Sequence, residues 1–301
     1  MVPRPKDEDL ERPAGSRLDL SEAHAIYRQM ALYDMAFEVR FGLEMSFVRT
    51  FAVPSIAKIL AGTGEIAARP LKRWLDTALM MYELIDAGPE APRARSVLRM
   101  LNQVHRGLPI TEDQYSYVLT TFIVPAVRFM DSYGWRPSTE REKEAVTVFY
   151  RRVGELMGLR WLPGSYEEAA AYLDSYEEAN LAPSPEGASL MQATQGALVT
   201  RMPRGARWAS PTLVRLMLDD RLCEALSLQR PSRAARQCFA LAMRVRGGLV
   251  ARRPVRAEPR FRPGRSGKDV YPHGYELEDL GPPRRPGEGR HVIPTSSGEM
   301  S

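Results

Sequence analysis

The sequence predicts an all-α protein built as a single large helical domain, and three observations carry the prediction. Apolar residues recur at helical spacing in segment after segment, and no run alternates with the period of two that a strand requires. Ser, Thr or Asp followed three residues later by Glu or Gln opens several of these segments, a signature of helix N-termini. Gly or Pro closes most of them.

Residues 1–18 are polar and Pro-containing and read as a disordered lead-in. The helical body is expected over 19–250. Asp19-x-x-Glu22 opens a pattern running to Arg49, with Gly42 as the expected point of division. A short apolar segment, Ser55 to Leu60, ends at Gly62-Thr63-Gly64. Pro70 stands where a helix should start, and the pattern from Leu71 to Ile85 stops at Gly88-Pro89. The next helix is expected from Ala94 to Arg106, closed by Gly107. Thr111-x-x-Gln114 caps a long apolar helix to Tyr133, and Pro125 inside it removes a backbone donor and predicts a kink. Thr139-x-x-Glu142 opens a helix to Met157, and Ser165-x-x-Glu168 one to about Ala179. Weaker patterns cover 186–202, 210–228 and 232–248. From 251 onward Pro, Gly and Arg dominate, and an irregular tail is expected over 251–301.

The formal charge is +5, but ten Lys/Arg against seven Asp/Glu from Arg252 onward place +3 of it in the tail. That distribution argues against nucleic acid as a partner and allows a weak attraction of the tail to anionic membrane surfaces. The longest apolar stretch, Tyr117 to Val127, is about half of the ~20 residues a spanning helix needs. Cys223 and Cys238 are too few for a disulfide framework. With no hydrophobic region near the N-terminus, a cytoplasmic location is expected.

Among the four histidines, His273 and His291 fall in the tail and His24 near the start of the first helix, which leaves His105 inside the helical body. It shares a helix stripe with Leu98, Leu101 and Leu108, so its imidazole should face the core. One histidine suits the proximal position on haem iron and ill suits sites that need several nitrogen ligands. The plain alternative is a core histidine with one hydrogen-bond partner. Arg73 and Thr77, four apart on the preceding helix, share a face. A guanidinium there suits a carboxylate such as a propionate, and the hydroxyl offers a hydrogen bond. The alternative is an ordinary surface Arg and helix Thr. Di-iron Glu-x-x-His pairs, H-E-x-x-H, nucleophile elbows, Walker loops and Rossmann glycines are all missing from the sequence.

Several stretches together carry a family resemblance. They are Phe51-Ala-Val-Pro-Ser-Ile-Ala-Lys-Ile-Leu60 with Thr63-Gly-Glu65, Arg73-Trp-Leu-Asp-Thr77, and Arg99-Met-Leu-Asn-Gln-Val-His105 followed by Ile110-Thr-Glu-Asp113. Others are Tyr117-Val-Leu-Thr-Thr-Phe122 through Pro125 to Trp135-Arg-Pro-Ser-Thr-Glu140, Val153-Gly-Glu-Leu-Met-Gly158, and Tyr271-Pro-His-Gly-Tyr-Glu-Leu-Glu-Asp-Leu-Gly281. In their order and spacing the chain resembles the mpaB/rubber-oxygenase catalytic domain family, over roughly residues 20–283.

The resemblance implies a globin-like helical core holding haem b, and oxidation of a hydrophobic, isoprenoid-like substrate by dioxygen. It places His105 as the proximal iron ligand and Arg73 and Thr77 beside the haem, with Asp76 as an expected proton relay. Rubber-cleaving members carry a lysine just before that threonine, where this chain has Asp76. Lysine capping of the iron is therefore not expected, which counts against polyisoprene as the substrate. Glu65 is the nearest guess for a distal base. The expected cleft walls are Met80, Met81, Leu119 and Phe122. The match at 271–281 implies that this part of the tail folds back on the body. Two other readings remain open: a haem-binding carrier or sensor without turnover, and a helical lipid- or protein-interaction module.

Overall fold

A computed structural model describes residues 17–200, 210–254 and 256–282; most of the expected lead-in and the end of the tail lie outside these. Among the described residues the regular structure is helical throughout: α1 (Leu20–Gln29), α2 (Ala36–Arg49), α3 (Pro54–Gly62), α4 (Glu65–Ala68), α5 (Pro70–Ala87), α6 (Pro92–His105) and α7 (Glu112–Tyr133). After these come α8 (Glu140–Met157), α9 (Tyr166–Asn180), α10 (Pro185–Thr200), α11 (Ser210–Leu216), α12 (Asp220–Ala225) and α13 (Arg233–Ala251). The capping boxes at Thr111 and Thr139 are both formed, so α7 and α8 start where the sequence places them.

The first expected helix breaks elsewhere than at Gly42. A π-helical turn, Met30–Asp34, separates α1 from α2. Gly42 instead lies at the crossing of α2 with α7, where an added Cβ would overlap Ala126. Without a side chain the two helices approach closely, and this pair forms the centre of the fold. The same contact accommodates Pro125. Its ring leaves the carbonyl of Thr121, four residues back, without an intrahelical donor. The hydroxyl of Ser46 on α2, shared with the Gly42 carbonyl, donates to that oxygen.

On one side of this pair α1 packs on α8, with Tyr27 and Tyr150 fully buried and their hydroxyls 3.1 Å apart. On the other, α9 lies along α7, its Tyr176 stacked on Tyr117 at 4.4 Å. Glu177 there is buried and accepts hydrogen bonds from Arg49 and Tyr117.

The segment 256–282 holds one 3-10 turn, Leu277–Asp279, and is otherwise irregular, yet it is closely packed. The Arg260 amide donates to the carbonyl of Leu32 in the π-turn at 2.9 Å. Phe261 stacks on Tyr82 of α5 at 5.3 Å, and Tyr275, Leu277 and Leu280 are all buried. The pattern expected over 210–228 forms two short helices, because the Asp219 side chain caps a new start by accepting from Leu222 N–H.

Candidate active site

α5 and α6 form a hairpin joined at Gly88, whose φ of +83° closes α5. The hairpin brings the first turn of α5, carrying Arg73, to the last residue of α6, His105. The His105 ring meets Tyr115 of α7 edge-on at 5.6 Å. Its Nδ1 is buried without a hydrogen-bond partner, and the ring bonds to no other described residue. Burial, aided by the nearby Arg73 cation, lowers its pKa from 6.5 to about 4. At neutral pH His105 is therefore an uncharged imidazole with a free lone pair.

Arg73 is the second unusual group. Its guanidinium donates to Thr77 Oγ1 and lies 6.0 Å from the centre of the Phe47 ring. No carboxylate among the described residues pairs with it, and burial lowers its pKa. The charges of Asp76 and Glu65 offset only part of that cost, and an anionic group placed against the half-buried guanidinium would offset more. Thr77 completes the ladder by donating from Oγ1 to the Arg73 carbonyl at 3.0 Å.

Thr77 also faces a small, partly open cleft of about 10 Å³, between α2, α5 and α7. Leu43, Glu44 and Phe47 line it from α2, Trp74, Ala78 and Met81 from α5, and Phe122 from α7. Of the four expected wall residues, Met81 and Phe122 line the cleft. Met80 turns toward Gly281, and Leu119 packs near Gly154.

Asp76 stands apart from this group. It is 1% exposed, and both carboxylate oxygens serve the tail segment and its own helix. Oδ1 accepts from the Tyr271 hydroxyl at 2.6 Å; Oδ2 accepts from Lys72 Nζ at 2.6 Å and from the Gly281 amide at 2.9 Å. Lys72 also donates to the carbonyls of Asp279 and Gly281. Asp76, expected as a proton relay, thus ties the tail segment to α5 through these bonds. Two turns on, fully buried Glu83 repeats the device, accepting from Arg93 and, at 2.6 Å, from the Tyr275 hydroxyl. Glu65, the guessed base, pairs with Arg69 one turn on.

Sequence reasoning missed Glu44, the carboxylate among the cleft-lining residues. It pairs with Arg40 at 2.7 Å, an i,i+4 pattern indistinguishable in sequence from a solvated surface pair. Thr194 Oγ1 and Gln195 Nε2 are buried without partners on α10, which packs against α5. No sequence signal marks them. His24 is structural: its Nε2 is 2.9 Å from the Ile85 carbonyl. No described helix is long and apolar enough to cross a membrane.

Comparison with known proteins matches this arrangement to one group. The "ER-bound oxygenase mpaB'" of Penicillium brevicompactum is 22% identical, the match covering 90% of this chain and 80% of the relative. The "ER-bound oxygenase mpaB" of Penicillium roqueforti (strain FM164) is 23% identical, over 71% of this chain and 78% of its own. The solved structure of latex clearing protein LCP in the closed state shares the fold. Its TM-score is 0.63 at 16% identity, covering 84% of this chain and 73% of that one. The family model for the ER-bound oxygenase mpaB/B'/rubber oxygenase catalytic domain matches residues 36–247, and the chain belongs to that oxygenase family.

Proposed function

We propose that this chain is a haem b-dependent oxygenase acting with dioxygen on a hydrophobic, isoprenoid-like small molecule. The observation that carries the reading is the pairing of an uncharged imidazole, its Nδ1 without a partner, with a half-buried guanidinium that bonds to Thr77, a residue lining the apolar cleft. Haem is a group that satisfies both at once, with an iron for His105 and a propionate for Arg73. The donor set fits. The cleft, at about 10 Å³, is far smaller than the roughly 300–1,000 Å³ of small-molecule pockets, so a flat macrocycle enters only if α2, α5 and α7 move apart.

In this reading His105 would hold the iron through a ring nitrogen, and needs no deprotonation to do so at neutral pH. Arg73 would hold an anionic group of the cofactor through charge, with Thr77 holding the guanidinium in place. Phe47, Trp74, Met81 and Phe122 keep water out and offer a greasy wall to a hydrocarbon chain. Glu44 provides a proton acceptor at that wall. Bound haem supplies the redox chemistry by which dioxygen attacks a carbon–carbon double bond.

Oxygen consumption by haem-loaded protein, with short linear terpenes as the probe, tests the reading. Uptake that depends on the alkene and falls at least tenfold in Glu44→Gln supports it. Stable haem binding without uptake against any alkene would identify a carrier, and failure to bind haem would identify an interaction module.

A further inference from the structure

The outer face of α13 carries an apolar stripe that none of the described residues covers. Leu241, Val245 and Leu249 are 61%, 56% and 53% exposed and stand four residues apart, so they form one line along the helix. They account for three of the four exposed large apolar side chains among the described residues; the fourth, Leu213, is on α11, which packs against α13. The inner face is engaged separately. Met243 and Gly247 are buried, Gly247 lies against the backbone of Gly134 and Trp135, and Phe239 meets Tyr133 at 5.4 Å.

Charge selects the occupant of the stripe. Residues 233–251 contain four arginines and no acidic residue, and Arg252 and Arg253 follow at once. Arg236 is neutralised by Asp220 and Arg246 by Glu38, whereas Arg233 and Arg244 are exposed beside the stripe without an ion pair to any described residue. A second copy docked on this face would bring arginine toward arginine. A lipid surface would bring phosphate and carboxylate headgroups to the arginines and acyl chains to the leucines.

We propose that α13 is a membrane-docking helix that lies in the plane of an anionic bilayer. Leu241, Val245 and Leu249 enter the headgroup–acyl boundary, and Arg233 and Arg244 bind anionic headgroups. The proposal is independent of the cleft chemistry.

The chain carries its own probe site. Cys238 is exposed on the same outer face, while Cys223 is buried. An environment-sensitive fluorophore on Cys238 should shift to the blue with phosphatidylcholine vesicles containing roughly a third phosphatidylserine, and should not with phosphatidylcholine alone. High salt should reverse the shift. In co-sedimentation of unlabelled protein, Leu241→Ser/Val245→Ser/Leu249→Ser should lower partitioning at least about tenfold. Arg233→Gln and Arg244→Gln should each lower it roughly fivefold. Unchanged helicity by circular dichroism secures the comparison, since all five side chains are exposed. A label that stays in an aqueous environment beside anionic vesicles overturns the proposal. So does a blue shift that tracks protein concentration without vesicles, which would assign the stripe to a second copy.

Discussion

Replacing Asp76 by Asn separates a structural carboxylate from a catalytic one. The carboxylate is almost fully buried and accepts from Lys72, Tyr271 and Gly281. An amide of the same shape keeps one acceptor oxygen and turns an NH2 group toward a donor. Breaking a buried ion pair from one side costs about 3–5 kcal/mol. Lys72 is a quarter exposed and retains two tail carbonyls, so the lower end applies, about 3 kcal/mol. Equilibrium urea unfolding reads the loss, and limited proteolysis locates it. The segment 256–282 should become cleavable well before the body unfolds, because its main tie to the first half of α5 is gone. Asp76→Leu combined with Lys72→Met should recover only part of the stability, since removing both charges still leaves the buried Gly281 amide without its acceptor. An Asp76→Asn variant that keeps its stability and tail protection but loses turnover would refute the clamp and return the residue to the chemistry.

Other consequences follow from the same packing. Gly42→Ala places a methyl group against the backbone of Ala126 and should cost about 1–3 kcal/mol, seen as a lowered melting temperature. An unchanged melting temperature would mean that α2 and α7 slide apart freely. Arg93→Ala strands fully buried Glu83 and should destabilise by about 3 kcal/mol, whereas exposed Arg95→Ala should stay within roughly 0.5 kcal/mol of the parent. Equal effects of the two would refute the second clamp. His105 makes the haem-free protein sensitive to acid. Its folded pKa of about 4 lies below the ordinary 6.5, so the unfolded chain takes up the proton first. The resulting stability is fully present above pH 6.5 and is lost as pH falls toward 4. Over that range the loss amounts to roughly 3 kcal/mol. His105→Gln should flatten that part of the profile, and parallel profiles for the two proteins would contradict the burial of the ring.

Much of the fold was legible because helix starts are written locally. Thr111 and Thr139 fix their helices through two hydrogen bonds each, and a reader needs only the residue three places on. The pairing of Arg73 with Thr77 was legible for the same reason, being one turn apart. Harder to read from the sequence was which neighbouring residues share a face. Asp76 adjoins Thr77 in the chain, yet lies about 100° round the helix from it and joins Lys72, one turn back, on the face that meets the tail. Met80 and Met81 divide in the same way. Gly42 signalled a break because glycine is a poor helix former, whereas its use is the approach of another helix, which is a long-range fact. Glu44 was hidden for a similar reason: only the fold shows that its helix borders a cleft.

The most direct test of the site is an absorption titration of haem into the purified protein and into His105→Ala. Axial ligation by His105 predicts a saturable Soret band in the parent at one haem per chain, with its position changed and the affinity lowered by at least tenfold in the variant. Identical bands and identical affinities in the two proteins would show that the iron is held elsewhere.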